Sequence, residues 1–171
     1  MHLYLSGYRG TGKSTVAELL GHQLGVGHVD LDREIERAAG KTVAAIFQEV
    51  GEAGFRQLET ASLVELAQQT PRVIALGGGA VLAAVNRGII ERTGRCVWLQ
   101  ASEETICRRL AADQATASLR PRLTALPAVE EVRKLLAERE PLYRQVASFI
   151  VQTDDQSVPA IVERIVGWWA G

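Results

Sequence analysis

Cysteine is scarce in this chain: Cys96 and Cys107 are the only two in 171 residues. Two lone thiols without metal-type spacing exclude a disulfide framework and a cysteine-built metal centre. They read as reduced, buried thiols of a cytoplasmic protein. Charge of one sign is also missing. Nineteen Lys and Arg stand against twenty Asp and Glu, for a net charge of −1 and a pI near 6.3. A dedicated nucleic-acid binder is usually clearly basic, so no nucleic-acid partner is expected. No apolar run approaches the roughly 18 residues of a membrane span, and no membrane partner is expected either. No internal repeat, low-complexity segment or Pro/Gly/Ser-rich linker divides the chain, which predicts a single domain over residues 1–171. His2, His22 and His28 show neither ligand spacing nor a nucleophile to serve, and read as surface or core residues. The first residues run straight into a strand that the following loop needs, so a cleaved leader is not expected there.

What the chain does have is glycine in informative places. Gly7-Tyr8-Arg9-Gly10-Thr11-Gly12-Lys13-Ser14 fits the phosphate-loop pattern G-x-x-x-x-G-K-[ST]. Leu3-Tyr4-Leu5 before it reads as a short buried strand. Thr15 to Leu24 after it reads as a helix with Val16, Leu19, Leu20 and Leu24 on one stripe and Gly25 as its stop. Such a loop turns backbone N–H groups onto phosphate oxygens at a helix N-terminus. Lys13 would supply a point charge to the phosphates, and the Ser14 hydroxyl a ligand to Mg²⁺.

Short apolar runs then alternate with helical patterns. Gly27 to Asp30, Val73 to Leu76, Cys96 to Leu99 and Phe149 to Val151 read as further strands. Helices are expected over Arg33–Ala39, Thr42–Val50, Phe55–Gln69, around Val85–Glu91, from Ser102 to Ala112 and from Pro127 to about Tyr143. The second and third of these are separated by a break at Gly51 to Gly54, and Phe55, Leu58, Ser62 and Leu66 would share a face. A closing amphipathic helix carries Val158, Ile161, Val162, Ile165, Val166 and Trp169. Trp98, Trp168 and Trp169 read as core and helix-packing residues, and Glu130 to Glu140 as a solvated face. The fold class is therefore α/β, a three-layer sandwich around a five-stranded parallel sheet. Asp30, the phosphate loop and Gly77-Gly78-Gly79 all fall at strand carboxyl ends, where such sheets bind ligands.

Phosphoryl transfer is mostly positioning and electrostatic clamping. Asp30 would hold Mg²⁺ through water, and Asp32 would orient an acceptor hydroxyl and take its proton. Asp32 also suits the N-cap of the helix at Arg33, and the two roles are compatible. Arg56 and Arg139 would suit a small acidic substrate as bidentate forks, or stand as solvated helix residues. The glycine triplet is either a plain turn or a place where backbone closes on a ligand. Arg120, within the aperiodic stretch Asp113 to Pro127, suits a lid arginine or a loop charge.

As a set, these residues resemble the shikimate kinases, nearly end to end. The resemblance is carried by Gly7 to Thr15, Asp30-Leu31-Asp32, Gly54-Phe55-Arg56 with Glu59, Leu76 to Val81, Arg120-Pro121, Arg139 to Tyr143 and Thr153 to Gln156. It implies a phosphate-loop fold of the nucleoside-monophosphate-kinase type. The activity implied is ATP-dependent phosphorylation of the 3-hydroxyl of shikimate, on the route to aromatic amino acids. It implies a core, a substrate-binding region over about 33–59 and a lid over about 112–125. By match to the family motifs, Gly10, Thr11, Gly12, Lys13, Ser14, Thr15, Arg120 and Gln156 bind ATP. Asp32, Arg56, Gly77, Gly78, Gly79 and Arg139 bind shikimate. Ser14, with Asp30 through water, holds Mg²⁺, and Lys13, Asp32 and Arg120 take part in the chemistry. A cytoplasmic monomer is expected. The chain departs from the family pattern where Arg122, in place of an apolar residue, follows Pro121.

Another small hydroxy-acid kinase of the same fold, such as a gluconate kinase, is the alternative enzyme. A nucleoside-monophosphate kinase would need a lid richer in arginine. A regulatory GTPase would carry an Asn-Lys-x-Asp segment, which is missing. A silent binding module would lack Lys13 or Asp32, and both are present.

Overall fold

In the computed structural model, which describes residues 1–113 and 127–171, five strands lie parallel in the order β2-β3-β1-β4-β5. They are β1 (His2–Ser6), β2 (Gly27–Asp30), β3 (Arg72–Ala75), β4 (Gly94–Gln100) and β5 (Ala147–Gln152). The helices are α1 (Lys13–Leu24), α2 (Leu31–Ala39), α3 (Val43–Ala67), α4 (Ala84–Thr93), α5 (Glu103–Ala112), α6 (Ala128–Val146) and α7 (Val158–Ala170), with a 3₁₀ turn at Ala80–Leu82. The registers Leu3↔Val73, Leu5↔Val97 and Val97↔Phe149 align the carboxyl ends of β1, β3, β4 and β5 along one rim.

Period-two alternation sorts each central strand between two cores. Leu3, Leu5, Val73, Val97 and Leu99 pack on α1 and α7, against Val16, Leu20, Ile161 and Ile165. Tyr4, Ile74, Cys96 and Trp98 face the other way, onto α2, α3, α4 and α6. All nine strand residues are 2% exposed or less. Both sheet faces are therefore covered, as all-parallel sheets require. A third cluster of Tyr8, Ala101, Ile106, Val132 and Leu135 sits where α5 and α6 cross the rim, beside the phosphate loop.

Three local expectations are corrected. The break after the Thr42 cap is confined to Gly51 (φ 69°, ψ −177°), and Glu52 to Gly54 are already helical. The buried face of the following helix is Phe55, Glu59, Leu63 and Leu66, and Leu58 stays 40% exposed. The stretch Glu130 to Glu140 is not uniformly solvated, because Glu131 and Arg139 are 1% and 5% exposed. Trp98 is core, and Trp168 stacks on Phe149 with ring centroids 5.0 Å apart. The two thiols are free. Burial pushes Cys96 up to about 12, which leaves it inert, and Cys107 is half-buried.

Candidate active site

The phosphate loop leaves β1 through Gly7, whose φ of 138° excludes most side chains and whose Cβ would run into the carbonyl of Leu99. Gly12, at φ 88°, opens α1 without any side-chain cap. The first N–H groups of α1 therefore face the loop, where an anion can take them up. Lys13 is folded back into the loop. Its Nζ donates to the carbonyls of Gly7 and Tyr8, both at 2.9 Å. The buried Thr11 hydroxyl donates to the Tyr8 carbonyl at 2.8 Å, and Thr15 is exposed on the outer side. Ser14 donates its hydroxyl to Asp30 Oδ2.

Asp30 Oδ1 accepts from the N–H groups of Asp32 and Arg33, at 3.0 and 3.2 Å. The cap of α2 is therefore Asp30, and the capping role expected of Asp32 is overturned. The helix starts two residues earlier than the pattern implied, which places Asp32 in its first turn with its carboxylate turned to the glycine triplet. Among the described residues no three His, Cys, Asp or Glu cluster as a metal site. Mg²⁺ does not need one: it keeps several waters and takes one or two hard protein oxygens beside substrate phosphate. The Ser14–Asp30 pair fits that donor set.

The second half of the cleft is assembled from distant segments. Asp32 from α2, Arg56 and Glu59 from α3, Gly77 to Gly79 after β3, Arg139 from α6 and Tyr8 and Arg9 from the loop line one pocket. Gly77 and Gly79 leave space for the charged groups beside them, while Gly78 makes only ordinary contacts. A Cβ on Gly77 would lie 2.6 Å from Asp32 Oδ1 and 2.7 Å from Glu59 Oε1. On Gly79 it would meet the Arg56 guanidinium carbon at 2.5 Å, and on Gly78 it would reach Arg139 Nη1 at 3.7 Å. The Gly78 carbonyl accepts from the Tyr143 hydroxyl at 2.5 Å. Burial pushes the Tyr143 phenol well above its ordinary value, so it remains a donor.

Arg56 donates to Glu59 Oε2 at 2.9 Å and to Glu52 Oε1 at 3.3 Å. Burial pushes the Glu59 carboxyl above the usual carboxylate range, against the pull of Arg56. Arg139 lies over the Tyr8 ring, 5.7 Å from its centroid. Buried polar atoms without hydrogen-bond partners among the described residues gather here: Arg9 Nε, Arg56 Nε, Glu59 Oε1 and the Tyr8 hydroxyl. Such atoms are rare in finished interiors, and four in one cleft mark a site built for a polar occupant.

Of the residues expected to act, Gly10, Thr11, Gly12, Lys13, Ser14 and Thr15 form the loop, and Asp32, Arg56, Gly77 to Gly79 and Arg139 share the adjoining pocket. Gln156 is exposed in the turn after β5, and its N–H reaches the Thr153 carbonyl at 3.5 Å. Arg120 and nearly all of the expected lid lie outside the described residues. Sequence reasoning missed Tyr8, Arg9 and Arg109. Arg109 donates to the Gly10 carbonyl at 3.3 Å, to Thr153 Oγ1 at 3.1 Å and to the Thr153 carbonyl at 2.7 Å, bracing the loop against the turn that carries Gln156. An arginine in the last turn of a helix gives no signal of such a role. Arg9 stood inside the motif, where its variable position hid it.

Comparison with known proteins identifies the family. The family model for shikimate kinase matches residues 9–170. The shikimate kinase of Rhodopirellula baltica is 46% identical over 165 residues, covering 96% of this chain and 88% of its own. That of Pseudomonas aeruginosa is 40% identical over 166 residues, with 97% and 94% covered. A solved structure of shikimate kinase from Acinetobacter baumannii in complex with shikimate superposes with a TM-score of 0.92 at 36% identity, covering 99% of this chain and 92% of that one. A gluconokinase from Sinorhizobium meliloti, at 17% identity and a TM-score of 0.66, shares the fold. This chain belongs to the shikimate kinase family.

Proposed function

We propose that the chain transfers the γ-phosphoryl group of ATP to the 3-hydroxyl of shikimate, giving shikimate 3-phosphate and ADP. The observation that carries this reading is one cleft lined by Asp32, Arg56, Arg139 and the glycine triplet, entered beside the loop of Lys13. Arg56 and Arg139 bind the acid's carboxylate through guanidinium forks. Backbone at Gly77 to Gly79 closes on the ring, and Asp32 receives the acceptor hydroxyl. As the hydroxyl oxygen forms its bond to phosphorus, the bond to the β-phosphate oxygen breaks and the hydroxyl proton passes to Asp32. The loop N–H groups from Gly10 to Thr15 hold the phosphates, and Lys13 leaves its carbonyl partners to meet them. Ser14, and Asp30 through water, would hold Mg²⁺, whose charge offsets that on the phosphate oxygens. Gln156 lies on the side where the nucleoside base would rest, and Arg120 would meet the phosphates from the lid.

The chain acts as one domain over 1–171, with residues 33–59 as its substrate-binding region and 112–125 as its lid. It acts as a monomer. Among the described residues no helix is long and apolar enough to cross a membrane. With two free thiols and ATP as co-substrate, the cytoplasm is the compartment that fits. A coupled assay of ADP release against shikimate, quinate, gluconate and nucleoside monophosphates tests the reading. Turnover should be highest with shikimate, and a preference for gluconate or a nucleotide would overturn it.

A further inference from the structure

One stripe of α6 carries more than the expected arginine. Glu131, Leu135, Arg139 and Tyr143 recur every four residues and are all buried, at 1%, 8%, 5% and 0% exposure. Tyr143 reaches the glycine triplet, Arg139 covers the Tyr8 ring, and Leu135 packs in the cluster around Tyr8. Glu131 is the anomaly, because a carboxylate costs heavily to bury unless it is paired. One of its partners is Arg9, whose Nη2 lies 2.9 Å from Glu131 Oε1. Arg9 is not spent on that bond. Its side chain stays 23% exposed, it lines the same cleft as Arg56 and Arg139, and its buried Nε has no partner among the described residues. The guanidiniums of Arg9 and Arg139 flank the Tyr8 ring, 6.0 and 5.7 Å from its centroid.

We propose that Arg9 is a third acid-binding cation of this cleft, and that Glu131 is the positioning residue that holds its guanidinium there. This rests on the reading of the cleft as a shikimate site. The walls carry three guanidiniums, Arg9, Arg56 and Arg139, beside the carboxyl groups of Asp32 and Glu59. Arg56 is already engaged by Glu59 and Glu52. Arg9 therefore adds a further guanidinium to the lining, against the Tyr8 ring that Arg139 also contacts. Glu131 stands behind Arg9, outside the lining, so it fixes the fork without facing the substrate anion directly.

Titration calorimetry of shikimate without nucleotide, together with KM and kcat, tests this on wild type, Arg9→Met/Glu131→Leu, Arg9→Lys and Glu131→Gln. The double variant replaces a buried pair by apolar groups, an exchange that folds tolerate well. Thermal midpoints verify folding. If the double variant does not fold, Arg9→Lys, which leaves Glu131 a counter-charge, decides. The double variant should bind shikimate about tenfold more weakly, as loss of one charge-assisted contact implies. The KM for ATP should not change, and kcat should change by no more than about threefold. Arg9→Lys and Glu131→Gln should each lose about threefold, because charge or side chain remains but the fork is lost or loosened. A folded double variant that binds shikimate like wild type would make the pair a structural strut and overturn the inference. So would a loss confined to the KM for ATP. If wild type itself does not bind shikimate, the parent reading falls with it; if wild type binds and only the variants fail to differ, the parent reading stands.

Discussion

The proposed phosphate side of the cleft is built mostly from main chain, a glycine loop and the open N-terminus of α1, with one lysine side chain held by two carbonyls. The proposed acid side is lined by side chains drawn from α2, α3, α6 and the loop, where a Cβ on Gly77 or Gly79 would press on the charged groups. The first half is contiguous in sequence and nearly complete before any ligand arrives. The second exists only once the sheet has brought its parts together, and among the described residues it keeps buried polar atoms unpaired. A ligand common to many proteins can be met with backbone, whereas a particular small acid needs charges placed one by one.

That contrast can be broken at several points. The largest effect is expected at Lys13→Met, which removes both the phosphate charge and two bonds that shape the loop. Turnover should fall about 10³-fold, the scale of losing a preorganised charge at the reacting group. Turnover within tenfold of wild type would mean that backbone alone serves the phosphate half. Asp32→Asn should lower kcat roughly 10²-fold while nucleotide binding stays intact, as loss of the proton acceptor implies. A parallel loss of ADP affinity would show that the halves are not separate. Arg139→Ala should raise the KM for shikimate at least about tenfold, the cost of a charge-assisted contact, and leave that for ATP unchanged.

Smaller effects sharpen the picture. Tyr143→Phe removes the bond to the Gly78 carbonyl and should cost about 1 kcal/mol of stability in denaturant unfolding, with a modest rise in the KM for shikimate. The smallest effect lies outside the cleft, at Asp154. Partial burial would raise its pKa, but hydrogen bonds from Ser102, Thr105 and Gln152 outweigh this and bring it down to about 2 from 3.8. Because the folded-state value is the lower one, its contribution is present above about pH 3.8 and is lost as pH falls toward 2. The Tm gap between wild type and Asp154→Asn should therefore narrow over that interval, and a constant gap would refute the assignment. Glu59 runs in the opposite sense. Its pKa is raised by burial, so whatever it contributes to stability is present below its unfolded value of 4.5 and lost as pH rises through the folded one.

The same contrast decides what could be read in the sequence. The phosphate loop, its flanking strand and helix, and the apolar runs at Val73 and Cys96 are local patterns, and they appear where the pattern put them. Helix faces were less secure. Counting Leu58 and Ser62 on the face of Phe55, instead of Glu59 and Leu63, missed the buried stripe, because a charged Glu59 gave no sign of burial. Asp30 and Asp32 are two residues apart and both suit a cap, and only the point where the chain turns decides between them. Asp32 could be named from its place just after a strand end beside the loop, whereas Arg56 and Arg139 needed the family likeness, because nothing local separates them from surface charges. Glu131 lay hidden in a run of ordinary helix charges, since it is paired with Arg9, 122 residues away in the chain.

The account stands on the acid's hydroxyl meeting Asp32 while its carboxylate meets the arginines. A crystal structure of the chain with shikimate and ADP measures this directly. The 3-hydroxyl oxygen should lie about 2.6–3.2 Å from an Asp32 carboxylate oxygen, with the carboxylate on Arg56 and Arg139. Shikimate bound the other way round, its carboxylate toward Asp32, or bound outside this cleft, would contradict it.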